Sequence, residues 1–272
     1  MTGVEEVTGW WSTAVSRVEP NTIEYRGYPV QDLIGQVGFV QGMWLLVVGE
    51  LPTPGQAALL EAALLAAADH GPQAPSIASA RMAATCGVGL NSAVANGVNT
   101  LGDVHGGAGQ QCVAVLGALA ESVAGGADPH EAARAVVAEH RSRGTYVPGF
   151  GHRFHAYDPR RDPLVALVQQ AVEDGDVEGR HLRVALALED VLAEGRAKPV
   201  PMNIDGATAI VYAELGCPPE LARGLFVMSR SVGILAHAWE ERQGGRRIKG
   251  PLPPPLTAPY SGQPTRSLPT RP

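Results

Sequence analysis

Apolar residues in this chain fall mainly in long runs or at helical spacing, and alternation of the β type is confined to one region near the N-terminus. Residues 10–34 carry β-branched and aromatic side chains on both sides of Glu19-Pro20-Asn21, which predicts a short hairpin closed by Arg26-Gly27-Tyr28-Pro29. Helical periodicity starts at residues 30–34. Gly49 and Pro52 end one helix, and Thr53 with Pro54 can open the next as N-cap and first helical residue. Residues 56–68 are almost continuous Ala and Leu, a helix buried on most sides, which stops at Asp69-His70-Gly71-Pro72. His70 stands at that C-terminal edge, where a helix dipole favours histidine. Residues 77–100 read as one small-residue helix, or two packed closely through Gly87, Gly89 and Gly97. Helices are expected over 109–123, over 128–143 with Asp128 as cap and Pro129 first, and in two stretches after Pro163 interrupted around 175–179. His130, His140 and His181 are expected at the surface. Residues 207–215 predict a helix capped by Asp205 and residues 220–242 a long one, before a proline-rich tail that is extended or disordered.

Composition narrows the class. A chain of 272 residues can bury a sizeable core in one large domain or one and a half. A net charge of −6 argues against nucleic acid or an anionic membrane surface as the main partner. Cys86, Cys112 and Cys217 have neither disulfide nor metal-ligand spacing, so buried thiols in a reducing compartment are expected, with no metal site. The N-terminus is acidic, and no run approaches the ~18 apolar residues of a membrane span. The expectation is a soluble cytoplasmic protein. A dinucleotide site at the glycine-rich runs is disfavoured, since no strand precedes Gly106.

The most specialised stretch is 146–160, YVPGFGHRFHAYDPR, in which Gly149 and Gly151 can take positive φ and bring backbone close to a ligand. His105 lies just before a helix start, where the positive dipole end disfavours imidazolium; a neutral imidazole there can donate a hydrogen bond to a developing enolate oxygen.

The run from Pro148 to Arg153, followed by Asp158-Pro159-Arg160, resembles the coenzyme A and catalytic-histidine loop of the citrate synthase family, which includes the citryl-CoA lyases and the C-terminal module of ATP-citrate lyase. Five further elements resemble the family in its order: Arg26-Gly27-Tyr28-Pro29, the Asp69-His70-Gly71-Pro72 run, His105-Gly106-Gly107-Ala108, Asn203-Ile204-Asp205-Gly206 and Ser229-Arg230. The resemblance implies an all-α, citrate-synthase-like fold with the short N-terminal hairpin. It implies a large helical domain of residues 1–107 and 208–250, a small one of 108–207 and a proline-rich tail of 251–272.

It also implies roles. Asp205 would move a proton at the acetyl methyl carbon, His105 would hold the enol oxygen, and His152 would exchange a proton with the oxygen of the other fragment. His70, Arg160, Arg230 and Lys249 would bind substrate carboxylates and carbonyl, with Arg161 an alternative to Arg160 and Arg247 an alternative to Lys249. Pro148, Gly149, Phe150 and Gly151 would meet the adenine, and Arg153 a coenzyme A phosphate. The reactants implied are citryl-CoA, acetyl-CoA and oxaloacetate, with the coenzyme A thioester as substrate and no metal or nucleotide redox cofactor. A homodimer and a separate citryl-CoA synthetase are the partners implied. The short N-terminal end, the Asp69-His70-Gly71-Pro72 run and Gly206 after Asp205 lean towards a citryl-CoA lyase; the alternative is a citrate or 2-methylcitrate synthase, and a non-catalytic coenzyme A-binding relative ranks third.

Overall fold

The computed structural model of the chain describes residues 3–151, 157–198, 200–250, 256 and 258–268. Among these residues the architecture is helical, with a small sheet near the N-terminus. Strands β1 (Ser16–Glu19), β2 (Thr22–Tyr25) and β3 (Tyr28–Pro29) form an antiparallel meander in that order. Glu19 pairs with Thr22, leaving Pro20 and Asn21 as the turn, and Asn21 takes φ of 63°. The expected hairpin therefore has a third strand, because Arg26 and Gly27 also adopt positive φ and turn the chain a second time. The Arg26 guanidinium donates from Nε (3.1 Å) and Nη2 (2.9 Å) to the Leu46 carbonyl, tying the sheet to a helix. A helix ahead of the sheet, α1 (Gly3–Trp10), was not expected from the pattern.

The sheet leads into α2 (Val30–Leu33), α3 (Phe39–Val48) and α4 (Pro54–Ala67). Gly49 ends α3 at φ of 111°. Thr53 caps α4 in a reciprocal box: Gln56 N–H donates to Thr53 Oγ1 (3.1 Å) and Thr53 N–H to Gln56 Oε1 (3.0 Å). The next segment is two helices, α5 (Pro75–Ala84) and α6 (Leu90–Val98), followed by α7 (Ala108–Ala124) and α8 (Pro129–Ser142). Asp128 caps α8 as expected, accepting from His130 and Glu131 N–H. Then come α9 (Arg161–Glu173), α10 (Arg180–Ala193), α11 (Ile204–Glu214) and α12 (Pro219–Gln243).

The main core joins Trp44 of α3 and Leu60 of α4 to Leu116, Val168, Leu188 and Ile210 on α7, α9, α10 and α11. A smaller cluster holds Ile77 and Ala80 of α5, Ala93 of α6, and Ile234 and Ala238 of α12. Gly97 makes this second contact possible: a Cβ there would lie 2.7 Å from both Ile234 Cγ2 and the Ser76 carbonyl oxygen.

Two expectations are corrected here. His181 is buried, because the carboxylate of Glu214, from the end of α11, accepts the N–H groups of Gly179 (2.9 Å), His181 (2.8 Å) and Leu182 (2.9 Å) and pulls the start of α10 inward. Cys86 is exposed on the turn after α5, whereas Cys112 and Cys217 are buried. No helix among the described residues is long and apolar enough to cross a membrane.

Gly97→Ala is expected to destabilise the fold by about 1–3 kcal/mol through overpacking, since backbone and a branched side chain must both yield. Urea unfolding checks this; an unchanged midpoint would show that α5, α6 and α12 are not in such close contact.

Candidate active site

The C-terminal end of α4 organises the site. The last carbonyls of a helix lack partners within it. Here they are served from two distant parts of the chain. Ser229 Oγ of α12 donates to the Leu64 carbonyl, Arg230 Nε to that of Ala67 (3.2 Å), and Arg160 Nη1 to that of Ala66 (3.3 Å). Arg230 is 5% exposed and lies over the Phe226 ring, 5.0 Å from its centroid. Burial lowers its pKa; Asp205 and Asp69 oppose that shift, and Arg160 adds to it.

Asp158 is 1% exposed and serves both chain segments. Its carboxylate takes a bidentate pair of bonds from Arg160 Nε and Nη2, both 2.9 Å, a third from Arg160 N–H (3.1 Å), and one from Ile204 N–H (3.0 Å). Burial alone would raise its pKa, but the bonds from Arg160 and Ile204 win and hold it at about 2. Arg161 points elsewhere: it pairs with Asp162 (2.8 Å) and Glu189, whose other oxygen accepts Met202 N–H (2.7 Å). Of the two arginines, Arg160 is the one in the field of Asp205 and Arg230.

The start of α11 differs from the expected one. Asn203, not Asp205, is the N-cap; its Oδ1 accepts from Asp205 N–H (2.9 Å) and Gly206 N–H (3.3 Å). The helix begins at Ile204 rather than 207, and the Asp205 side chain is released from the capping role. Its carboxyl is partly buried, and burial raises its pKa against the opposing pull of Arg230 and Arg160. Its ability to hold a proton distinguishes it from Asp158.

Gly149 and Gly151 have the expected positive φ, 84° and 80°, but what approaches them is backbone. Gly151 N–H donates to the Pro201 carbonyl (2.7 Å) and Asn203 N–H to the Gly149 carbonyl (3.0 Å), around a bridge between Phe150 and Met202. Asn203 Nδ2 adds a bond to the Gly151 carbonyl (2.6 Å). A Cβ on Gly149 would lie 2.7 Å from Cys112 Sγ and 2.8 Å from Gly206 Cα. The Gly149 carbonyl and both backbone polar groups of Gly151 thus hold the loop against residues 201–203, just ahead of α11.

His105 sits between two helix starts. It is three residues ahead of α7, and its Nε2 accepts the N–H of Ser76 (3.1 Å), in the first turn of α5, with Ser76 Oγ 3.0 Å from the same nitrogen. A backbone N–H can only donate, so Nε2 carries the lone pair and Nδ1 the proton. Burial, with Arg230 second, lowers the His105 pKa and keeps the ring neutral. Ser76 was not singled out from the sequence; an ordinary serine behind Pro75 gives no sign of its histidine partner.

His70 is exposed just beyond α4. Lys249 Nζ bonds Glu241 (3.1 Å), which Arg81 also holds (2.7 Å), and no contact joins it to the cluster among the described residues. His152 and Arg153 lie outside the described residues. His237 contacts Asp69 at 3.2 Å. No group of His, Cys, Asp and Glu able to hold a metal occurs among the described residues.

The fold and this cluster define a helical protein in which two arginines and two aspartates meet at the ends of α4 and α11. Residues 4–64 and 53–251 match the model of the family described as citrate synthase, C-terminal domain, and the chain belongs to that family. A citrate synthase of Mycolicibacterium smegmatis is 35% identical over 238 residues, 86% of this chain and 58% of that protein. The structure of citryl-CoA lyase from Hydrogenobacter thermophilus superposes with a TM-score of 0.83 at 30% identity, covering 95% of this chain and 97% of that one. The ATP citrate lyase of Methanothrix soehngenii, in complex with citrate and coenzyme A, shares the fold at 21% identity, with a TM-score of 0.79 over 97% of this chain and 44% of that one. The chain spans about half the length of the citrate synthases it matches, 51% and 58% for two of them and 43% for another.

Asp158→Asn is expected to lower stability by about 2 kcal/mol at neutral pH, the linkage value of a pKa brought from 3.8 to about 2. The depressed value stabilises the fold above the unfolded pKa, and that contribution is lost as pH falls through the folded one. The gap between wild type and variant should therefore narrow between pH 3.8 and about 2 in denaturant titrations; a gap constant over that window would argue against an ionised Asp158.

Proposed function

We propose that this chain cleaves citryl-CoA to acetyl-CoA and oxaloacetate through an enol of the thioester. The observation that carries the reading is the opposed state of two groups that both feel the charge of Arg230: a neutral His105 with its proton on Nδ1, and an Asp205 whose pKa is raised by burial against the pull of Arg230 and Arg160. In cleavage, His152 takes the hydroxyl proton of citryl-CoA, its role following from the family resemblance. The hydroxyl oxygen becomes the keto oxygen of oxaloacetate, and the electrons of the broken C–C bond pass into the thioester. Nδ1–H of His105 stabilises the enolate oxygen, and Asp205 delivers its proton to carbon. Arg230, Arg160 and His70 hold the carboxylates and carbonyl, which makes the encounter effectively unimolecular. Pro148 to Gly151 and Arg153 receive the coenzyme A portion; with Gly149 and Gly151 docked on α11, the contacts come from the outward side of the loop. Movement of residues 108–207 over the rest would exclude water from the enol.

The near-complete mutual coverage with a citryl-CoA lyase supports cleavage. The 35% identity to a citrate synthase favours a second reading, condensation of an acyl-CoA with oxaloacetate and hydrolysis of the thioester. Citryl-CoA given to the full chain separates them: oxaloacetate without free thiol is the expected result, whereas free thiol with citrate would establish the synthase. Neither product from intact substrate would leave a coenzyme A-binding role. Asp205→Asn should lower the rate by about 10²–10⁴-fold, the usual worth of a general acid or base; a variant within a few-fold of wild type would remove Asp205 from the chemistry.

A homodimer is part of the same reading. Along α12, Met228, Val232, Leu235 and Trp239 are 41%, 63%, 44% and 52% exposed at spacings of four, three and four residues, an apolar stripe on one face. A second copy fits that stripe, and a separate synthetase would supply citryl-CoA. Lys249 reaches a neighbour's substrate only by leaving Glu241. Val232→Glu should convert dimer to monomer in light scattering; a monomeric wild type would end the proposal.

A further inference from the structure

The turn after α5 and the end of α12 enclose a cavity of about 340 Å³ that shares no residue with the cluster of His105, Asp205, Arg160 and Arg230. Its wall is cationic, with Arg242, Arg246 and Arg247 facing Thr85 and Cys86. Among the described residues Arg242 and Arg247 have no carboxylate partner, and Arg246 has only a 3.9 Å contact with Glu241. Glu241 is 3% exposed and already neutralised by Arg81 at 2.7 Å and Lys249 at 3.1 Å. Residues 250–272 contain no Asp or Glu that could pair with these arginines.

The backbone that presents the arginines is fixed. Ile248 N–H donates to the Thr85 carbonyl (3.1 Å) and Lys249 N–H to Thr85 Oγ1 (2.9 Å). Ile248 has φ of 52°, a left-handed conformation that a β-branched residue adopts only where its surroundings impose it. A strained turn that brings unpaired guanidinium groups to one cavity is not explained by stability alone. The C-terminal end of α12 opposes an anion with a partial charge of roughly −0.5, which the guanidinium groups together outweigh.

We propose that this cavity binds a compact polyanion, a small molecule carrying at least two phosphate or carboxylate groups. Its volume lies at the lower end of the roughly 300–1,000 Å³ of small-molecule sites, and the planar arginine fork suits both acid groups. The inference does not rest on the reaction proposed above.

Isothermal titration of the full chain with inorganic pyrophosphate and, separately, with citrate tests it. Saturable binding of at least one probe is expected, weakened about tenfold or more by Arg242→Ala or Arg247→Ala, with less loss for Arg247→Lys. Thermal melting of the variants, matching wild type because both side chains are exposed, controls for folding. Pyrophosphate binding alone would identify a phosphate ligand, and citrate binding that depends on Arg242 but survives Arg230→Ala a carboxylate one. Citrate binding that survives Arg242→Ala but disappears in Arg230→Ala belongs to the catalytic cluster and counts against a carboxylate ligand in this cavity. Absence of saturable binding by both probes, or binding indifferent to Arg242 and Arg247, overturns the proposal.

Discussion

The carboxylate of Asp158 is held between a guanidinium and a helix start, and much of the site depends on that pair of contacts. One side fixes Arg160, which then reaches the Ala66 carbonyl; the other fixes Ile204 and with it the first turn of α11. Burying this ion pair has a large desolvation cost, so its net worth to stability is modest. Its structural consequence is greater. Asp205 follows Ile204 directly, and Arg230 is anchored to the same helix end as Arg160, so one buried carboxylate relates Asp205 to the two arginines.

Two aspartates in this small region have opposite fates. Asp158 is surrounded by donors and stays ionised; Asp205 has its backbone N–H engaged by Asn203 and its side chain in a poorly solvated position, so its pKa rises. Environments that push neighbouring titratable groups apart distinguish acid from base. His105 completes the set through Ser76, whose backbone N–H selects the tautomer. Neither effect requires an unusual residue. Both follow from where helices begin.

Helix α12 links the other features. Its middle carries Ser229 and Arg230 to the end of α4, its outer face carries the apolar stripe, and its last turn leads into the arginine-lined cavity. A 25-residue helix is long enough to serve all three at once, which gives a physical route by which assembly or anion binding could bear on the site.

Local signals were legible because their physics is local. The Thr53 and Gln56 box, the Asp128 cap and the left-handed Gly49 each satisfy groups within a few residues of themselves, so the sequence alone determined most helices and the turns between them. The motifs around His105, Asp205 and Arg230 were readable through family resemblance, since residues at helix starts and on one helix face keep their order in the chain. Tertiary structure decided the rest. It gave the cap of α11 to Asn203, buried His181 beneath a carboxylate from another helix, and tied the Gly149 carbonyl and the backbone of Gly151 to residues 201–203. It also set the tautomer of His105 through Ser76, twenty-nine residues away. These outcomes depend on hydrogen-bond partners distant in sequence and on the exclusion of water around them, and neither is encoded in spacing along the chain.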